Sequence, residues 1–179
     1  MNASTIAPRV VAGDSVRVNE RLVSVSAMVF GSLKVSDLSV RAKVMYGQNT
    51  SHMQQPTGYG IVETFENGVN DYESMQLGSA WLTMMYGKKL RYGFFAGWMK
   101  NFGSAGKDFI GGPVVRNNTG MDQAYRFSPI VTYKVQNMQI GLEYEHTAAA
   151  YGKYKANGMV NDTHWVANNR VCVMLKYDF

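Results

Sequence analysis

The stretch Val171-Cys172-Val173-Met174-Leu175-Lys176-Tyr177-Asp178-Phe179 decides the fold. Successive side chains of an extended chain point to opposite faces. Val171, Val173, Leu175, Tyr177 and Phe179 therefore share one face. Cys172, Met174, Lys176 and Asp178 share the other. The same period of two recurs upstream, and it predicts seven strands, at 22–35, 38–47, 74–86, 90–101, 123–135, 138–147 and 164–179. Val23, Val25, Ala27, Val29, Leu33 and Val35 oppose Ser24, Ser26, Ser32 and Lys34. Leu90, Tyr92, Phe94, Ala96 and Trp98 oppose Arg91, Gly93, Phe95, Gly97 and Met99. The third strand alternates least cleanly, because Trp81 and Met85 sit on its nominally polar face.

Composition sets the bounds. The chain has 179 residues, 46% hydrophobic, 12% aromatic and 17% charged, which excludes disorder and suits one domain. A single cysteine, Cys172, excludes a disulfide framework and a cysteine-rich zinc site. No apolar run approaches the length of a spanning helix. Mean hydropathy is −0.21, so bulk hydropathy alone describes a water-soluble protein. The alternation contradicts that description.

The connections alternate in length. Ser36-Asp37, Gly87-Lys88-Lys89 and Gln136-Asn137 read as tight hairpin turns. The segments 48–72, 102–122 and 148–163 are long and rich in Gly, Asn, Asp, Ser and Thr, and residues 1–21 read as an N-terminal segment or loop. Tight turns on one rim and long loops on the other is the plan of an antiparallel, up-and-down transmembrane β-barrel. The aromatic residues expected at its two interfaces are Tyr46, Trp98, Tyr133, Tyr144 and Trp165.

The opposite face carries Lys34, Arg41, Lys43, Arg91, Arg126, Lys134, Arg170 and Lys176, with Glu143, Glu145 and Asp178 as its acids. A sealed apolar core would not hold eight cations and three anions. A wet face would, and no second set of strands or helices is evident to cover the aliphatic one. Lipid is the most economical cover.

Two further features point to a family. A chain that stops on an aromatic residue at the end of such a strand resembles bacterial outer-membrane barrels. In those proteins the final strand, here Leu175, Tyr177 and Phe179, is read by the barrel-assembly machinery. Val18-Asn19-Glu20-Arg21-Leu22, Tyr125-Arg126-Phe127-Ser128-Pro129, Gln139-Ile140-Gly141-Leu142-Glu143-Tyr144-Glu145 and Thr147-Ala148-Ala149-Ala150-Tyr151-Gly152 resemble the carboxyl-terminal half of porin-like outer-membrane proteins of the Bacteroidota. The resemblance covers about residues 9 to 179. It implies an outer-membrane location, contact with lipid and an assembly that includes homo-oligomers. Members of that family are longer, with a signal peptide and further strands. Met1-Asn2-Ala3-Ser4 shows neither a basic nor an apolar leader segment. Seven strands, or eight with one drawn from residues 5–12, are therefore expected to be a fragment of a larger barrel.

No catalytic set, metal site or cofactor is expected. His52, His146 and His164 lack metal-ligand spacing, although His146 and His164 could approach one another. The nucleotide-binding glycine patterns are absent. A net charge of +5 invites nucleic acid, but the cations are dispersed over alternate strand positions without a run, so no nucleic-acid partner is expected. Arg41, Lys43, Arg91, Arg126, Glu143, Glu145 and Arg170 are the expected lining of a polar lumen, with Arg126 diagonal to Glu145 across a hairpin. The resemblance implies passive diffusion of small hydrophilic solutes, and the excess of cations a mild anion preference. A structural or adhesive barrel without a conducting pore stays open as the alternative, and a soluble β-sandwich as the non-membrane one.

Overall fold

The structure, a computed structural model, describes residues 1–9, 18–53, 55–115 and 120–178. Its strands are β1 (Asn2–Ile6), β2 (Leu22–Val35), β3 (Leu38–Gln48), β4 (Gly58–Thr64), β5 (Asn70–Ser74), β6 (Gln76–Gly87), β7 (Leu90–Gly103), β8 (Ile110–Val115), β9 (Met121–Val135), β10 (Met138–Tyr154) and β11 (Val160–Tyr177). A 3₁₀ turn spans Thr50–Met53, and there is no α-helix among the described residues.

Eight strands form one antiparallel sheet in the order β1-β2-β3-β6-β7-β9-β10-β11. Neighbours in this sheet follow one another along the chain, as hairpin connections require. The sheet does not close: β1 and β11 are its two edges, and they are not paired. The all-β antiparallel architecture thus matches the alternating sequence, whereas the expected closure into a barrel is not formed. The eighth strand is Asn2–Ile6, paired with Leu22–Ser26, rather than residues 5–12, of which 10–12 lie outside the described residues.

Three two-residue connections sit on one rim. Ser36 and Gln136, each first in its turn, adopt left-handed φ values of 50° and 51°. Such turns follow the twist of the strands they join. Gly87 adopts φ 116°, and a Cβ there would lie 2.1 Å from the carbonyl oxygen of Leu90. The turns brace one another: Gly87 N donates to Asp37 O at 3.1 Å, and Lys134 N to Lys89 O at 2.8 Å.

The expected long loops are partly strand. β10 runs to Tyr154 and β11 begins at Val160, so most of 148–163 extends the last hairpin. Ala148, Ala149 and Ala150 have little intrinsic strand preference but are buried there, and packing overrides propensity. Parts of 48–72 and 102–122 form a second, three-stranded sheet in the order β5-β4-β8. Met75, Phe109 and Val115 form its core, with Val62 and Tyr154 packed against them.

Register assigns the faces of the large sheet. Val29 opposes Val44, Leu82 opposes Ala96, and Leu142 opposes both Val131 and Val173, so these side chains share one face. That face is apolar and uncovered: Val29 and Val173 are each 76% exposed. Among the described residues 37 large hydrophobics are exposed and only nine hydrophobics are buried, three of them alanines. The accessible surface is 11309 Å², against about 8,700 Å² for a compact monomer of 19.9 kDa. The excess matches the area that an obligate interface buries.

Candidate functional site: the polar face of the large sheet

Hydrogen-bond register places all seven expected lining residues on the face opposite the exposed aliphatics, and they fall into two groups. Arg126, Glu143, Glu145 and Arg170 form a network across β9, β10 and β11. Arg126 Nη2 lies 2.6 Å from Glu145 Oε2 and 3.1 Å from Glu143 Oε1. Arg170 Nη2 donates to the same Glu145 oxygen at 2.7 Å. Arg126 Nε donates to Ser128 Oγ at 3.0 Å. Glu145 is the least exposed member, with a side chain 12% accessible, and it satisfies two guanidinium groups at once. Arg41, Lys43 and Arg91 form the second group, on β3 and β7. None has a carboxylate within 4.0 Å among the described residues. The face is thus divided into a neutralised network and a set of uncompensated cations.

Aromatic rings interrupt the polar face between these groups. Phe30 opposes Lys43, Lys43 opposes Trp81, Trp81 opposes Gly97 and Gly97 opposes Arg126, all in one row across the sheet. The Trp81 ring lies 6.0 Å from Phe30 and 6.2 Å from Phe95, centroid to centroid. The Arg126 guanidinium stands 5.4 Å over the Phe95 ring. A Cβ at Gly97 would come within 2.8 Å of the Phe95 ring, so the glycine leaves the space this ring fills. An open cleft of about 330 Å³ is lined here by Lys43, Gln55, Trp81, Phe95, Arg126 and Thr147 among others. In the sequence its only signal was the broken alternation at Trp81.

Gln55 lies over this face, and Thr50 and Thr57 are anchored nearby. Thr50 is fully buried, its methyl group 2.6 Å from where a Cβ at Gly47 would lie. Its hydroxyl pairs with that of Thr57 at 2.9 Å, itself fully buried. Gln55 Oε1 is buried without a hydrogen-bond partner among the described residues.

A second polar cluster ties the N-terminal segment to the small sheet at the long-loop rim. The Glu20 side chain is fully buried and accepts two bonds from Arg9, at 2.8 and 2.6 Å. It also accepts from Asn70 N at 2.7 Å and from Tyr72 Oη at 2.8 Å. These bonds, led by the Arg9 guanidinium, hold its carboxyl down at about 2 from an ordinary 4.5. Burial pushes the Tyr72 hydroxyl up.

The expected interfacial aromatics, Tyr46, Trp98, Tyr133, Tyr144 and Trp165, all lie on the apolar face and are exposed. Leu175 and Tyr177 share that face; Phe179 lies outside the described residues. Trp165 packs 5.5 Å from Tyr125, while Tyr144 opposes Val171 below the long-loop rim. The histidines do not converge: His146 opposes Asn169, whereas His164 opposes Tyr151, five residues along and on the other face. Among the described residues no three His, Cys, Asp or Glu side chains are grouped as metal ligands. Comparison with known proteins found no matching family model, no matching curated protein and no matching solved structure.

Proposed function

We propose that this chain forms part of the wall of a porin-like outer-membrane β-barrel that passes small hydrophilic solutes passively. The observation that carries the reading is the inversion of the sheet, apolar on an uncovered face and charged on the other. Lipid is the cover that suits such a face. From Met138 to Ala148 the apolar face of β10 runs about 34 Å along the strand. At a tilt of about 40° that spans about 26 Å, close to the apolar band of outer-membrane barrels. The open edges at β1 and β11 are then completed by further strands, of the same polypeptide or of a second copy. Leu175, Tyr177 and Phe179 engage the barrel-assembly machinery. Arg41, Lys43 and Arg91, uncompensated by acids, give the lumen a mild anion preference.

The test is reconstitution. The chain is refolded in detergent micelles, and the unboiled and boiled forms are compared by gel migration. The folded protein is then placed in a planar bilayer under a salt gradient. A faster unboiled band, with conductance whose reversal potential favours anions, is expected. A folded monomer that needs no detergent would overturn the membrane reading. Thr50 and Gln55 favour a second reading. They cover part of the polar face, at Gly47 and beside Lys43, as they would in a structural or adhesive barrel without a conducting pore. A heat-modifiable band without conductance selects that reading.

A further inference from the structure

The aromatic row on the polar face has no structural need to be there. A solvated wall gains little from Trp81, and Phe30 is 56% exposed on it. These rings nonetheless form a continuous floor with Phe95, and Gly97 is required for the Phe95 ring to lie flat against the strand. Lys43 borders the floor in the same row, directly opposite both Phe30 and Trp81, with no carboxylate within 4.0 Å among the described residues. Arg126, at the other end, is already committed to Glu143 and Glu145. One free cation therefore stands beside the adjoining, mutually tilted rings of Trp81 and Phe95 in an open cleft of about 330 Å³. We infer that this cleft binds planar aromatic carboxylates: the ring lies across Trp81 and Phe95, and the carboxylate pairs with Lys43. A ring face on a ring face and a charge-assisted hydrogen bond are the two interactions the site offers. A neutral sugar would leave the ammonium unused, and a small inorganic anion would leave the rings uncovered. Gln55, whose buried Oε1 has no partner among the described residues, lines the same cleft.

The inference shares with the pore reading only the premise that this face is wet, and it is tested without conduction. Trp98→Phe and Trp165→Phe leave Trp81 as the single tryptophan of three; because Trp98 also borders the cleft, the benzoate affinity of this variant is first matched to that of the unaltered chain by equilibrium dialysis. Benzoate is titrated into this variant, folded in detergent micelles, and Trp81 emission is followed. Saturable quenching with a Kd of about 1 mM is expected, the affinity usual for so small a ligand. Benzamide, with the same ring and no charge, and acetate, with the charge and no ring, should each bind at least fivefold more weakly. Lys43→Gln should weaken benzoate at least fivefold and leave benzamide unchanged. Gly97→Ala, which displaces the Phe95 ring, should weaken both aromatic ligands. Equal response to benzoate and benzamide, or full affinity in Lys43→Gln, overturns the proposal, as does a linear, unsaturable response. If the double variant shows no heat-modified band, equilibrium dialysis of radiolabelled benzoate against the unaltered chain repeats the comparison. Conductance without benzoate binding would sink this inference and leave the pore reading standing; binding without conductance would do the reverse.

Discussion

Replacing Val171 by arginine separates a lipid cover from water more sharply than any measurement of the intact chain. Val171 lies on β11, opposite Tyr144, six residues from both Trp165 and Tyr177, which mark the ends of the apolar face. Its side chain is 66% exposed and makes little packing that arginine could destroy. On a protein surface bathed in water, such a change costs within about 0.5 kcal/mol either way. At the middle of a bilayer it costs about 2–4 kcal/mol. Taking about 3 kcal/mol, the ratio of folded to unfolded protein at a given denaturant concentration falls roughly 150-fold.

The control is Met174→Arg, three residues away on the opposite face, where methionine is 40% exposed beside a glycine at Gly141. It should cost about 0.5 kcal/mol or less, because that face is already charged and wet. Both variants are folded into short-chain phosphatidylcholine vesicles and titrated with urea, with tryptophan emission as the readout. A midpoint drop confined to Val171→Arg is the expected result. Equal midpoints for the two variants, or a Val171→Arg change within 0.5 kcal/mol of zero, would refute the lipid assignment of this face.

The remaining predictions bear on three other places. The Glu20 carboxyl is held at about 2, below its ordinary 4.5, so its stabilisation is complete above 4.5 and is lost as pH falls from there towards 2. The shift is worth at most about 3 kcal/mol, and about 1–2 kcal/mol after allowance for screening at the loop rim. Pepsin cleavage of the β4–β5 hairpin around Phe65 should therefore rise steeply over that pH range; Glu20→Gln should be cleaved readily throughout it, and identical profiles would exclude the clamp. Gln136→Gly relieves the left-handed φ of 51° and should raise urea stability by about 0.5–1 kcal/mol; a decrease would mean that the side chain, not the backbone, matters there. Glu145→Gln removes the carboxylate that Arg126 and Arg170 share, leaving Arg126 only Glu143, and should move the reversal potential further towards anions, whereas a shift towards cations would count against these residues as lumen lining.

Period two carried seven of the eight strands, all but β1, because apolar side chains on one face and charged ones on the other leave a mark at every second residue, from Val23 to Tyr177. It failed where that contrast is missing. Ala148, Ala149 and Ala150 are buried on both faces of β10, so no alternation marks them as strand. The small sheet was equally silent: Gly58–Thr64 and Ile110–Val115 are short, glycine-rich and paired only with each other and with Asn70–Ser74. The Arg126–Glu145 contact was readable, since a two-residue turn at Gln136-Asn137 fixes the register that makes them diagonal. The aromatic row was not. Phe30 and Trp81 look like lapses in a polar face until the register sets them on either side of Lys43.

The apolar face carries its own evidence about its surroundings, in the few polar groups it contains. Asn169 Oδ1 accepts from Tyr144 Oη at 2.6 Å and from His146 Nδ1 at 2.8 Å. The other nitrogen of His146 lies 3.3 Å from Tyr125 Oη. Since the asparagine oxygen can only accept, Nδ1 of His146 donates to it. Trp98 Nε1 donates to Gln123 Oε1 at 3.3 Å, and Tyr46 Oη to Gln76 Oε1. In water none of these groups would need a protein partner, because solvent satisfies them at little cost. Against a dry neighbour each unpaired group would cost several kcal/mol. A face whose polar side chains bond to one another is suited to a cover that offers no hydrogen bonds, as a bilayer does. A second copy packed face to face would be dry as well, but it would place Tyr46, Trp98 and Trp165 against aliphatic rows rather than at a water interface. Detergent dependence of folding, with the oligomeric state measured by mass in micelles, distinguishes the two covers: a monomer that requires detergent supports lipid, and a detergent-free dimer supports the sandwich.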